Sequence, residues 1–409
     1  MSAMHAKSSD FYSRAKREIA EGILDQALNL LAHAPEGNYR LLAAAFSKIA
    51  NNEQQKLIAG WVSHWLAAGN PGGPFISRVL RSIHPNVRRK YISRMVTNNF
   101  FRDPDVLGRF YEMHGFNPPA VVVISPTMKC NYRCVGCWAG EYAKLDELPA
   151  EVFDRVLTEA EEIGTHFFVL TGGEPLVYKA LLDIMGKHRD SCFQLYTNGA
   201  LVDEEMAERF VELGNVSPQI SIEGFEKETD ERRGQGAFRR AMRAMEILRE
   251  KGCLLAFSST VTRKNIDAVT SDEFIDLLIG KGVHYGWYFM YMPIGRQPDL
   301  SLMLTPEERN RLRKATIRIR NIKPILVADF WGDGPLTGGC IAGGRIYLHI
   351  TARGDVEPCV FQHFATHNVK ESSFTECLKS PLFAALRRMQ PFCYNTLRPC
   401  PIVDHPKML

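Results

Sequence analysis

Three cysteines, Cys130, Cys134 and Cys137, stand in the run Lys129-Cys130-Asn131-Tyr132-Arg133-Cys134-Val135-Gly136-Cys137-Trp138, at a CxxxCxxC spacing. On one loop, three thiolates at these intervals can grip a four-iron cluster whose irons ordinarily take four protein ligands. One iron is then left open. A zinc knuckle is the plainer reading, but structural zinc takes four tetrahedral ligands, usually as two CxxC-like pairs. No cysteine or histidine lies close enough in sequence to complete such a set.

Further polar groups follow short apolar stretches: Thr171-Gly172-Gly173-Glu174-Pro175, Tyr196-Thr197-Asn198-Gly199, Ser221-Ile222-Glu223-Gly224 and Arg232-Arg233-Gly234-Gln235-Gly236-Ala237-Phe238. Glycines let backbone approach a ligand closely, and the Glu174 carboxylate can accept hydrogen bonds from an ammonium group. A GGEP run alone reads as an ordinary loop; one βα unit after the three-cysteine loop, it carries meaning.

The elements that must position these groups alternate. Apolar stretches at 120–125, 166–171, 192–197, 217–222, 254–261 and 284–292 are separated by amphipathic stretches near 150–163, 177–188, 202–213, 236–251 and 271–281, with a sixth near 305–320. Apolar strands between amphipathic helices predict a parallel sheet covered on its outer face. Six such units predict an α/β fold, a partial (β/α)6 TIM-like barrel over 117–322, with chemistry at the carboxyl ends of the strands. Residues 1–116 predict an all-helical N-terminal domain, because Ala20-Ile23-Leu24-Ala27-Leu28-Leu31 and Leu41-Ala44-Ala45-Ile49 follow the i, i+3, i+4 recurrence. After 322 the alternation stops, and 323–409 predicts a small α+β extension: 325–330 and 345–350 look extended, Ala352-Arg353-Gly354-Asp355 signals a hairpin turn, and 374–389 reads as a helix.

The cysteine loop, the GGEP run and the polar strand ends together resemble the radical S-adenosylmethionine (SAM) superfamily across residues 120–292. The resemblance implies a [4Fe-4S] cluster on Cys130, Cys134 and Cys137, its open iron chelated by SAM. It implies one-electron cleavage of SAM to a 5′-deoxyadenosyl radical that abstracts hydrogen from an unactivated C–H bond. It places SAM against Gly172, Gly173, Glu174, Asn198, Ser221 and Glu223. For the SAM carboxylate it points to an arginine near 232–243; Arg233 is the candidate, with Arg239, Arg240 and Arg243 competing. Met290, Tyr291 and Pro293 are candidates to border the adenine. In one departure, the bulky residue the family carries before the third cysteine is Gly136 here, and the bulky residue is Trp138. An electron donor such as flavodoxin or ferredoxin is implied.

Five of the ten cysteines lie beyond 322. Cys340 and Cys359 bracket the hairpin, resembling the first half of the auxiliary-cluster extension called twitch or SPASM, and Cys393 and Cys400 are its natural completion. Five cysteines are too few for the two-cluster version, so one auxiliary cluster, a [4Fe-4S] centre, is expected, with His363, Asp355 or an open site as alternatives to Cys393. Cys377 on an amphipathic helix, and Cys192 and Cys253 at strand starts, read as core thiols. Asp329, Asp333, His349 and His363 are candidates to face substrate.

With 45% hydrophobic and 23% charged residues the composition excludes disordered, collagen-like and membrane-embedded classes. A net charge of +4 argues for no nucleic acid. The first twenty residues contain no apolar h-region, and the best span candidate, 57–69, contains His64 and falls short of ~20 apolar residues. Cysteines without an export signal suit a reducing compartment, so a cytoplasmic location is expected. From Gln54 to Arg102 there is no acidic residue but eight Lys and Arg. Such a face could lie on the inner membrane surface as a peripheral contact. Two substrate classes follow: a ribosomally made peptide, or a lipid or isoprenoid with an anionic head. The alternative is a non-catalytic iron–sulfur electron carrier, which would need no SAM pocket.

Overall fold

The computed structural model describes residues 53–408 except 68, 101 and 144, together with 22, 25, 26, 28 and 29. Apart from those five, the helical runs read at 20–31 and 41–49 lie outside the described residues. Nine strands form one sheet: β1 Val121–Thr127, β2 Phe167–Gly172, β3 Cys192–Thr197, β4 Val216–Ser221, β5 Ala256–Val261, β6 Tyr285–Met290, β7 Leu326–Asp329, β8 Tyr347–Ile350 and β9 Val356–Glu357. Their order is β7-β6-β5-β4-β3-β2-β1-β8-β9. Each of β1 to β6 is followed by an outer helix: Ala150–Glu162, Leu181–Lys187, Glu204–Leu213, Ala237–Glu250, Asp272–Gly280 and Pro306–Ile322.

Local chemistry sets the helix ends. Asp203 accepts from the Met206 N–H to start the Glu204–Leu213 helix, and Gly214 closes it at a left-handed φ of 70°. Thr305 and Glu308 form a capping box with Pro306 in the first turn of the last outer helix. Alternate strand residues such as Ile124, Phe168, Leu195, Ile220 and Phe257 face these helices in one core.

The parallel sheet runs past residue 322 at both edges. β7 pairs with β6 from Tyr285↔Leu326 to Tyr288↔Asp329, and β8 pairs with β1 from Val121↔Tyr347 to Ile124↔Ile350, both parallel. The chain then turns through Gly354 into antiparallel β9. The sequence reading ended the alternation at 322 because β7 is four residues long and no crossover helix of ordinary length separates it from β8.

The basic stretch before residue 102 closes the floor of the barrel. In a βα barrel the helix C-termini, with their unpaired carbonyls and partial negative charge, gather at the end opposite the strand carboxyl ends. Lys90 Nζ donates to the Glu212 and Leu213 carbonyls at 3.1 and 3.0 Å, and Arg78 to the Pro324 carbonyl at 2.8 Å. Arg102 serves the carbonyls of Gly164, Pro118 and Pro119, and Arg94 that of Arg189. The Trp65 indole donates to the Arg320 carbonyl at 2.8 Å. Val79, Ile83, Val87 and Tyr91 pack there against Cys192 and Leu254. No described helix is long and apolar enough to cross a membrane.

Candidate functional site

At the opposite end, the cysteine loop leaves β1 and packs on the turn after β2. The Gly173 N–H donates to the Thr127 carbonyl at 2.9 Å and the Glu174 N–H to the Lys129 carbonyl at 2.8 Å. A Cβ on Gly172 would stand 2.5 Å from the Thr127 oxygen, and one on Gly173 would collide with the Lys129 oxygen. What these glycines approach is the backbone of the cysteine loop itself.

Glu174 is buried, and its carboxylate is held by neighbours: Thr197 Oγ1 donates at 2.7 Å, the Asn198 N–H at 2.8 Å and the Leu176 N–H at 3.2 Å. Burial pushes its carboxyl above the usual range in spite of these donors. Asn198 Nδ2 donates to Asn131 Oδ1 at 2.7 Å, fastening the end of β3 to the loop between Cys130 and Cys134. Burial, then the neighbouring Glu174, Cys134 and Cys137, pushes the Cys130 thiol up to about 11, although the Tyr132 N–H opposes the shift. A cluster bound there must displace that proton.

The fourth strand end supplies a second fixed charge. Glu223 is fully buried and accepts from Arg232 Nη1 at 2.7 Å, Arg233 Nε at 2.8 Å, Arg233 Nη2 at 2.5 Å and the Thr260 N–H at 2.8 Å. Burial alone would lower the Arg233 guanidinium; Glu223, with the Cys134 and Cys137 thiols, outweighs it and raises the pKa. Of the four candidate arginines, Arg233 is thus the one turned toward the cysteines. Arg239, Arg240 and Arg243 lie exposed on the Ala237–Glu250 helix. Ser221 Oγ sits 3.3 Å from Ser258 Oγ on the adjacent strand. Tyr291, which follows β6, packs its ring on Gly136.

Cys340, Cys359 and Cys400 act on one another at a second site. Burial pushes the Cys340 thiol up to about 11 and raises Cys359 and Cys400 as well. Tyr347 Oη donates to Cys359 Sγ at 2.7 Å and the Phe361 N–H at 3.4 Å. Cys393 stands in its own turn, accepting from the Asn395 N–H at 3.4 Å. Cys377 is buried in the main core, its thiol pushed up to about 12 by burial. Among the described residues no three His, Cys, Asp or Glu converge on a single-ion position. Zinc requires that convergence, whereas cysteines that ligate separate irons of a cluster do not.

One connection escaped the sequence reading. Ser125 Oγ meets His349 Nε2 at 2.8 Å, His349 Nδ1 meets Glu357 Oε2 at 2.8 Å, and Tyr142 Oη donates to Glu357 at 2.9 and 2.7 Å. Trp138 stands edge-on to His349 at 5.7 Å. This buried chain ties β1, β8, β9 and the segment after Cys137 together, and the only sequence signal was a histidine within an apolar strand. Asp329 is also buried, accepting from the Trp331 and Gly332 N–H groups, with burial pushing its carboxyl up to about 6. Asp333 pairs with Arg320, and His363 lies 4.7 Å from the Tyr142 ring.

Comparison with known proteins agrees with this geometry. Residues 124–278 match the Radical SAM superfamily and residues 340–401 match SPASM, an iron–sulfur cluster-binding domain. Mycofactocin maturase MftC of Mycobacterium ulcerans is 30% identical over 297 residues, 68% of this chain and 79% of that protein. The PqqA peptide cyclase of Granulibacter bethesdensis is 26% identical, over 60% of this chain and 69% of its own length. An AdoMet-dependent heme synthase of Methanosarcina barkeri is 26% identical, over 64% and 82%. The crystal structure of Streptococcus suis SuiB bound to S-adenosylmethionine shares the fold, with a TM-score of 0.61 at 18% identity over 72% of this chain and 75% of that one. The chain therefore belongs to the radical SAM superfamily and carries a C-terminal SPASM domain: it is an enzyme of a [4Fe-4S] cluster, SAM and auxiliary iron–sulfur binding whose chemistry is radical hydrogen abstraction.

Proposed function

We propose that this enzyme abstracts hydrogen from a ribosomally made peptide seated between the barrel mouth and the SPASM segment. The observation that carries the reading is the parallel pairing of β8 with β1: Cys359 meets Tyr347 at the amino end of β1, the three-cysteine loop leaves its carboxyl end, and the barrel interior lies between the two groups. A relative named for peptide chemistry, the PqqA peptide cyclase, supports the substrate class, as does a solved structure of SuiB bound to precursor peptide SuiA.

Cys130, Cys134 and Cys137 hold the catalytic cluster in this reading, and Cys340, Cys359 and Cys400, with Cys393, hold the auxiliary one. The cluster and SAM, when bound and reduced by one electron, supply a 5′-deoxyadenosyl radical. The protein supplies position. Gly172 and Gly173 seat the turn on the cysteine loop, Glu174 fixes the ends of β2 and β3, and Asn198 and Ser221 present polar atoms at the mouth. Glu223 orients Arg233, which keeps its charge against burial and is available to a carboxylate. Trp138, Tyr142 and His349 wall off the side toward β8, where water would quench a radical. The electron comes from a flavodoxin- or ferredoxin-like donor in the cytoplasm.

The test is anaerobic incubation of the reduced holoenzyme with SAM and candidate precursor peptides. The expected products are 5′-deoxyadenosine, methionine and a peptide of altered mass. Product from a tetrapyrrole, with no peptide altered, would refute the peptide reading. A lipid substrate loses part of its support, because four of the eight cations that suggested a membrane face, Arg78, Lys90, Arg94 and Arg102, serve the barrel floor; vesicle binding at low salt by the whole chain would restore it.

A further inference from the structure

We infer that the outer rim of the cysteine loop, formed by Arg133, Val135, Arg239, Arg240 and Arg243, is the docking face for a small acidic one-electron carrier protein. This rests on the assignment of the catalytic cluster to Cys130, Cys134 and Cys137. An electron must enter that cluster from outside, and the loop shows solvent its Arg133 and Val135 side, Val135 being 52% exposed.

The Ala237–Glu250 helix is fastened to this side. Arg240 Nε donates to Tyr132 Oη at 2.6 Å, and the guanidinium lies 5.2 Å from the ring centre of Tyr132, a residue between the first two cysteines. Arg243 follows on the same helix face, and Arg239 is exposed beside it. The Val135 N–H donates to the Arg232 carbonyl at 2.8 Å, joining loop and helical segment into one surface.

What marks this patch is that unpaired cations gather on the cysteine loop and the helix beside it. Elsewhere some exposed arginines have carboxylate partners, as Arg209 with Glu212, Arg263 with Glu308, Arg311 with Asp267 and Arg318 with Asp272, and others, such as Arg109, Arg189 and Arg249, stand apart from the cysteines. Among the described residues none of Arg133, Arg239, Arg240 and Arg243 has one. Of the acids nearby, Asp230 spends its carboxylate on the Gly236 and Phe238 N–H groups. Unpaired cations around an exposed apolar residue suit a transient, electrostatically steered encounter with an acidic protein. The transfer moves one electron: the carrier is oxidised, the cluster is reduced, and no atom changes place.

The experiment compares wild-type holoenzyme with the double variant Arg239→Glu, Arg243→Glu, two exposed helix positions away from the cysteines, Glu174 and Glu223. SAM cleavage is driven either by photoreduced 5-deazariboflavin or by reduced flavodoxin. The small reductant should drive both proteins equally, whereas the flavodoxin-driven rate should fall by about tenfold or more in the variant. The gap should narrow near 1 M salt, where the Debye length is ~3 Å. Replacement of the same arginines by Gln should give an intermediate loss. Equal flavodoxin-driven rates in wild type and variants would overturn the docking face. Absence of cleavage by wild type with the small reductant would instead overturn the cluster assignment.

Discussion

Tyr291 lies against the bare side of Gly136: a Cβ there would stand 2.5 Å from the tyrosine Cε2, and the glycine sits at φ 60°. The Tyr291 hydroxyl accepts from the Asp299 N–H at 3.0 Å, which pins the same end of the ring that meets the glycine. An aromatic delivered by β6 thus fills the space that the residue before Cys137 leaves open. Gly136→Ala must meet both a left-handed backbone, costing about 1–2 kcal/mol, and the ring. We expect it to lower iron bound at the catalytic loop, with partial recovery when Tyr291→Ala is added. Iron analysis of the two variants is the check, and full occupancy in Gly136→Ala would contradict it.

Glu223 is the shared carboxylate partner of Arg232 and Arg233 in a buried setting. Removing one member of such a group leaves charge without compensation and costs about 3–5 kcal/mol. Glu223→Ala should therefore shift the urea midpoint strongly and weaken SAM binding, while Glu223→Gln, which can still accept from Arg232, should lose less stability. Calorimetric SAM titration beside urea unfolding reads both. Unaltered SAM affinity in a folded Glu223→Ala protein would remove Arg233 from the site.

The C-terminal cysteines divide by environment. Cys359→Ala should lose the iron of one cluster and leave the other spectroscopically intact, whereas Cys377→Ala should keep all iron and lose only packing, about 1 kcal/mol for one buried group. Iron content with electron paramagnetic resonance distinguishes them. Iron loss in Cys377→Ala would place that thiol among the ligands.

His284 gives the floor of the barrel a pH dependence. Burial, then Arg78, lowers its pKa from 6.5 to about 3, and its Nε2 lies 2.7 Å from Ser82 Oγ. A histidine kept neutral in the fold contributes stability that is complete above 6.5 and is lost as the pH falls from 6.5 toward 3. The slope attributable to it approaches 1.4 kcal/mol per pH unit. Denaturation between pH 4 and 7 should show a shallower fall for His284→Gln than for wild type. Parallel curves would discount the residue.

The barrel, the order of its six units and the two cysteine groups were legible because each is local: an apolar run, an amphipathic run, a spacing of three or four. What joins distant segments was not. That Lys90 would cap carbonyls at 212 and 213, or that Arg102 would serve Gly164, depends on the helix C-termini collecting at one end, a property of the closed fold. The cation-rich stretch therefore read as a membrane face. The GGEP glycines were recognisable by type, yet their neighbour is Lys129 backbone, visible only once β1 and β2 are side by side. The His349 chain failed to show for the same reason, since its members come from four separate stretches.

The placement of β8 along β1 makes the carboxy-terminal fifth of the chain a structural border as well as a cofactor holder. A truncation after Ile322 would not yield a smaller working barrel: it would strip the flanking strands from β1 and β6 together, leaving two raw ladders of peptide groups primed to stick to other copies. Swapping this region between relatives would succeed only if the incoming piece restored both seams.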